Sequence, residues 1–411
     1  MNGWGSDAMN LRSLTGFISL ADSIDDSPIR AFADLARAAK YQFAEAGFPL
    51  QTTRIATQPI SEIQPRDLVR FARDLESISE THGITFTGLG AIHADLPNAS
   101  LDLIDSIPDA IASTRNVFAS VLVASRANGI NLKAIQSAAQ IIKRLADCTA
   151  EGLGNFRFAA LANCGPHIPF FPVAYQQGST PVFAIATEGA PLAVDAFSHA
   201  QNLNQARSDL VSAIETAANT VVRVANDLAA RFSFRFAGID FSLAPYKEES
   251  HSIGRALEKL TGIPFGERGT LFAAAFVTDC LQRAKFPRAG FSGLFLPVLE
   301  DATIASHSSH YSIDSLLLYS SVCGTGLDNI PLPGDVSADA LAAILLDLAT
   351  LAVKLTKPLT ARLVPIPHAR VGDMTHFDFP WFTNARIMET RGSLSPHWTD
   401  ANDWISFGVT P

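Results

Sequence analysis

The chain has 411 residues, 47% of them hydrophobic and 17% charged, with a formal net charge of -9. Its mean hydropathy is +0.18 and its pI ≈ 5.6. So apolar and charge-poor a composition excludes intrinsic disorder, and 40 Asp+Glu against 31 Lys+Arg excludes a general nucleic-acid binder, which needs a basic footprint.

Residues 1–10 read as an extension that does not pack, and 11–411 as one α/β domain. No apolar core precedes Leu14, so the start does not read as a secretory leader. Ser27-Pro28 looks like a cap followed by proline at the first helical position, opening a helix that runs to Ala46. Residues 52–57 read as a strand, 65–81 as a helix, 84–92 and 118–125 as strands. In 132–146, Ile135, Ala138, Ala139 and Ile142 recur on one helical face. Strands are expected at 156–161 and 182–187, then one long or broken helix over 191–231. A strand at 234–239, a helix at 270–284, strands at 290–296 and 316–322, a helix at 338–355 and a strand at 360–364 complete the pattern. From Trp381 the chain reads as irregular. Apolar strands alternating with helices predict a parallel sheet covered by helices, here a single large α/β barrel.

The most apolar stretch, 340–355, carries Asp347 and Lys354 and is too short to span a bilayer. The four cysteines form no Cys-x-x-Cys pair, which points to a reducing cytoplasm and no membrane association.

Polar residues cluster behind predicted strands, and in parallel sheets the carboxyl ends of strands carry the active site. Cys323-Gly324-Thr325-Gly326 offers a thiol among glycines, whose backbone N–H groups could approach a thiolate and lower its pKa. The competing reading is a buried cysteine beside a turn. Asp328 follows in the same loop. Asp240, two residues before Ser242, suits acid/base work, cation binding or a helix cap. Glu300-Asp301 is a paired acid that could hold Mg or Ca with Asp240, or share a proton, although Asp301 reads better as a cap. Gly266, Gly269 and Thr270 precede an apolar helix and suit an anion, with an ordinary turn and cap as the alternative. His167 and Tyr175 flank a proline- and phenylalanine-rich loop suited to lining a pocket, and Arg54 and Arg362 could bind an acidic substrate. His307-x-x-His310 lacks a third ligand and reads as exposed loop.

The runs GIDFSLAP (238–245), IPFGERGTLFAAAFVTD (263–279), GFSGLFLPVLED (290–301), SVCGTGLDNIPLPGDVS (321–337) and KPLTARLVPIPHARVGD (357–373) resemble the domain of unknown function 711 family. That uncharacterised family is grouped with pyruvate formate-lyase-like proteins, and the similarity extends from about Leu11 to Met388. The resemblance implies a glycyl-radical-enzyme-like α/β barrel with Cys323 where a catalytic thiol would sit. The tail, Thr390-Arg391-Gly392-Ser393-Leu394, lacks the Arg-Val-x-Gly-Tyr-type radical loop, so radical chemistry is not expected. Bacterial relatives are often encoded beside a small ACT-domain protein, which implies regulation by a small ligand.

Two functions follow. One is an enzyme, expected as a homo-oligomer, using thiol or acid-base chemistry on a small anionic metabolite. Its catalytic groups would be Cys323, Asp240, Glu300, Asp328 and His167. Arg54, Tyr175, Ser242, Gly266, Gly269, Thr270, Gly324, Thr325, Gly326 and Arg362 would bind substrate. The other is a non-catalytic small-ligand-binding or regulatory protein that works with an ACT-domain partner.

Overall fold

The computed structural model describes residues 9–395 and 404–407. Its first half holds β1 (Asn10–Phe17), α1 (Ser27–Glu45), β2 (Leu50–Pro59), α2 (Ile60–Ile63), α3 (Leu68–Thr81), β3 (Phe86–Gly90), α4 (Ile107–Ala112), β4 (Val117–Ser125), β5 (Gly129–Asn131), α5 (Leu132–Cys148) and β6 (Phe158–Ala162). There follow β7 (Val182–Glu188), α6 (Ala190–His199), α7 (Leu203–Phe232), β8 (Arg235–Asp240), α8 (Ile253–Thr261), α9 (Thr270–Arg283), α10 (Ala302–Ser306), α11 (Ile313–Ser320), β9 (Gly326–Pro333), α12 (Ala338–Leu355), β10 (Leu359–Ile366) and β11 (Trp404–Ile405). The helix expected over 191–231 is broken at Asn202, whose side chain accepts from Gln205 N (3.0 Å) and starts α7. Of the expected extension, Met9 is buried and Asn10 opens β1, while residues 1–8 lie outside the described residues.

The eleven strands form one sheet with the path β8-β7-β1-β2-β3-β4-β6-β10-β9, with β5 and β11 attached beside β4. The central five, β1, β2, β3, β4 and β6, are mutually parallel. Both flanking pairs run the other way: β7 is antiparallel to β1 and carries β8, and β10 is antiparallel to β6 and carries β9. The expected barrel is not closed by hydrogen bonds between the end strands. Residues 287–299 lie between them instead, with Ile239 N donating to Pro287 O (2.8 Å) and Val298 N to Asp328 O (3.1 Å).

Two expected strands are absent for physical reasons. Residues 290–296 are apolar but irregular. Residues 316–322 fall largely in α11, whose start is fixed by a capping box between Ser312 and Ser315. Short apolar runs fit helix and strand equally well, and the cap decided this one.

Most strands are buried on both faces, as helix-covered sheets require. The helices pack on one face through side chains such as Phe32, Leu35, Ile142 and Leu345. The other face is filled by strand residues and by the loop after β6, which contributes Ile168, Phe170, Phe171 and Val173. That loop runs back across the sheet, where Thr15 Oγ1 (2.8 Å) and Ser13 Oγ (3.1 Å) donate to Pro169 O. No helix among the described residues is long and apolar enough to cross a membrane.

Candidate functional site

Because the flanking pairs are reversed, carboxyl ends of strands do not all meet at one rim. The loop carrying His167 leaves the carboxyl end of β6, whereas Asp240 ends β8, which runs the opposite way. The candidate cavity lies at the amino ends of the central strands. Phe86 opens β3, Phe118 is near the start of β4 and Phe156 precedes β6. Phe170 and Phe171 reach it along the sheet, and about 50 Å³ is open within it.

Five charged side chains line this aromatic space: Arg12, Arg54, Arg362, Glu300 and Asp328. Arg362, on β10, donates through Nε to Asp328 Oδ1 on β9, and through Nη2 to Glu300 Oε1 (3.0 Å). Asn329 Nδ2 donates to the same glutamate oxygen. Arg12, on β1, donates to Pro245 O and lies 3.9 Å from Glu300 and 3.7 Å from Glu188. Burial raises Glu300 above the usual carboxylate range, against the opposing pull of Arg362 and Arg12.

Arg54, on β2, is different. Only 7% exposed, it donates Nε to Thr52 Oγ1 (2.9 Å) and lies over the rings of Phe86 and Phe171 (5.5 and 5.4 Å). Among the described residues it has no carboxylate within ion-pair distance, so a buried guanidinium faces the cavity with its terminal nitrogens uncommitted. Burial, with Arg12 and Arg362 nearby, lowers its pKa to about 9, so it is still a cation at neutral pH. A buried cation without a counter-charge is costly, and an anionic ligand removes that cost.

Arg54, Arg362, Glu300 and Asp328 were legible in the sequence, and the structure brings them together. Arg12 was not singled out. Its signal is an arginine inside an apolar β-run, LRSLTGF, a placement it shares with Arg54 in TTRIAT and Arg362 in LTARLVP. The phenylalanine wall is drawn from separate strands and loops, and no local pattern announces it.

The remaining candidates lie elsewhere. Asp240 is fully buried and accepts from Ser242 Oγ (2.7 Å) and N (3.1 Å), Phe291 N (2.7 Å) and Ser292 N (2.8 Å). Its pKa is raised to about 6 by burial, which those bonds only partly offset. Ser242 Oγ accepts from Gly293 N, and Thr325 Oγ1 donates to Leu294 O (2.8 Å). A side chain on Gly293 would press on Gly324, and one on Gly326 would strike the backbone of Thr360. These residues hold segment 287–299 against β8 and β9. Gly266, Gly269 and Thr270 shape the start of α9, where Thr270 Oγ1 accepts from Gly266 N (3.0 Å). His167 Nε2 donates to Gln176 Oε1 (2.7 Å), and Tyr175 OH to Cys164 O (3.1 Å).

Two of the expected groups sit in surroundings unlike those their sequence pattern suggests. Cys323 is 1% exposed, and burial raises its thiol, the reverse of the activation expected from its glycines. Nor do Asp240 and Glu300 fit Mg or Ca. Both oxygens of Asp240 are taken by protein donors, and Glu300 sits among arginines and an asparagine, a donor-rich setting that suits an anion. Asp301, its neighbour in sequence, instead caps α10 through Ile304 N (2.9 Å) and accepts from Ser252 Oγ (2.6 Å) and Ile253 N (2.7 Å) at the start of α8.

The model of the family described as "Uncharacterised ACR (DUF711)" matches residues 5–384. A UPF0210 protein of Pyrobaculum islandicum is 34% identical over 80% of this chain and 76% of its own. One from Clostridium beijerinckii is 30% identical over 95% of this chain and 92% of its own, and one from Methanococcoides burtonii 31% over 80% and 77%. The chain therefore belongs to the DUF711 family.

Proposed function

We propose that the protein binds a small carboxylate in the arginine-lined cavity and acts on it by acid-base chemistry. The observation that carries this reading is Arg54, a buried cation facing the cavity with no carboxylate within ion-pair distance among the described residues. Arg54 anchors the carboxylate, a role suited to the guanidinium fork. Glu300 is the group that gives or takes a proton at its carboxyl oxygen, since burial raises its pKa and so eases the uptake of a proton. Arg12, Arg362 and Asn329 orient it, and the phenylalanines exclude water, which strengthens each charge interaction.

Thermal melting with acetate, lactate, pyruvate and inorganic phosphate tests the binding step. A small carboxylate at 100 times its Kd should stabilise the fold by about 2.7 kcal/mol, and Arg54→Gln should weaken its affinity at least about tenfold, one charge-assisted contact being worth that much. If no anion moves the melting temperature, the reading fails. The catalytic step is followed by proton NMR in D2O. Exchange of the bound carboxylate's carbon-bound protons, lost in Glu300→Gln, supports acid-base turnover, whereas Arg54-dependent binding without turnover selects ligand binding alone.

A further inference from the structure

The charged residues around the cavity already balance. Arg12 and Arg362 contact Glu300, Arg12 also lies beside Glu188, and Arg362 also binds Asp328. With Arg54 this makes three guanidinium groups against three carboxylates, all buried. Arg12 and Arg362 direct donors at protein acceptors and carboxylates, whereas Arg54 donates only Nε, to a hydroxyl, and among the described residues it alone of the three has no carboxylate within ion-pair distance. One anionic group matches that supply, and a second would meet no free cation. Even one anion adds a negative charge to a balanced, desolvated cluster.

On the reading that this cavity binds an anion, we infer that its ligand is a monocarboxylate and that it enters together with one proton, which is held by Glu300. Five elements present charged or polar groups to Glu300: Arg12 from β1, Arg54 from β2, Asp328 and Asn329 from β9, Arg362 from β10, and Tyr246 beyond β8. Of the three carboxylates, Glu300 and Asp328 line the cavity, and Glu188 lies behind Arg12. Asp328 Oδ1 accepts directly from Arg362 Nε on the neighbouring strand. Besides Tyr246, His251 is a titratable group joined to the cluster. It bonds Glu188 (2.8 Å) on the far side of Arg12 and does not line the cavity. A proton on Glu300 leaves its second oxygen able to donate toward the ligand, so charge neutrality and hydrogen bonding are met by one event.

Isothermal titration calorimetry on the full chain tests this, with propionate as monoanion and malonate as dianion, between pH 6 and 8, in two buffers of different ionisation enthalpy. Propionate should bind with uptake of close to one proton, and its affinity should fall about tenfold for each pH unit gained, as single-proton linkage requires. Malonate should bind at least about tenfold more weakly, because its second charge has no partner. Glu300→Gln, which fixes the uncharged form, should bind propionate without proton uptake and with an affinity independent of pH. Arg54-dependent propionate binding with no uptake, or tighter binding of malonate, overturns the inference and leaves the anion site intact. Uptake that persists in Glu300→Gln overturns the assignment to Glu300 and moves the proton to His251. Failure of both probes to bind, or binding indifferent to Arg54→Gln, removes the anion site and this inference with it.

Discussion

Asp240 and Glu300 are both buried carboxylates, both raised by desolvation, and they stand at opposite kinds of place. Around Asp240 every donor is a backbone N–H or the Ser242 hydroxyl, fixed by the fold and turned inward. Around Glu300 the donors are side chains of Arg362 and Asn329, with Arg12 3.9 Å away, and a cavity opens beside them. Backbone donors cannot follow a change of charge without moving the chain. Side-chain donors can, which suits a group whose protonation changes. On the proposed function Asp240 is a clamp and Glu300 the working group, although each is an acid just beyond a predicted strand.

The largest effect expected from this contrast is on stability. Asp240→Ala leaves four donors buried without an acceptor and should cost about 3–5 kcal/mol in denaturant unfolding. Carboxylate affinity per folded molecule should stay unchanged. A loss of binding without a loss of stability would reverse the two roles.

Arg54→Leu should act in the opposite sense. It removes a buried cation that has no ion-pair partner in the described residues and fills the space with a hydrocarbon, so the empty protein should gain about 1–2 kcal/mol. The same variant should lose the melting shift given by small carboxylates. A destabilised Arg54→Leu would mean that the guanidinium is held by the fold rather than kept for a ligand.

The thiol comparison is smaller in energy and decides between chemistries. Cys148 is exposed, whereas Cys164, Cys280 and Cys323 are buried, with Cys280 pushed up to about 11 by burial and the other two also raised. Each raised thiol must lose its proton to react, so at pH 7 the buried three hold little thiolate and react less as pH falls. Mass spectrometry after brief iodoacetamide treatment should show Cys148 labelled about tenfold or more faster than Cys323. Preferential labelling of Cys323 would restore a thiol mechanism.

What could be read from the sequence follows the same physical divide. Amphipathic helices such as α5 and α12, and strands such as β4 and β7, carry periodicity along a single segment and were legible. So were Arg54 and Arg362, because a guanidinium is suited to bidentate contact with an acidic substrate. Strand β1 was missed as an element, since Arg12 and Ser13 break its apolar run. The reversal of β7–β8 and β9–β10 depends on how distant segments pair, and no local pattern records it. That reversal is why His167 and Asp240, each behind a strand, do not meet.

The glycines around Cys323 give the finest test, because they suggested a ligand-cradling loop. Their placement gives them another purpose. Gly326 has φ 98°, and a Cβ there would lie 2.3 Å from Thr360 O, so it permits β9 to begin against β10. Gly324 has no such constraint, its nearest neighbour to an added Cβ being Gly293 Cα at 3.7 Å. Gly326→Ala should therefore cost about 1–3 kcal/mol through backbone strain and collision. Gly324→Ala should stay within about 0.5 kcal/mol of the parent and leave carboxylate affinity unaltered. An anion-binding loop predicts the reverse, because a methyl group on Gly324 would keep a ligand from its backbone N–H while the fold stayed intact.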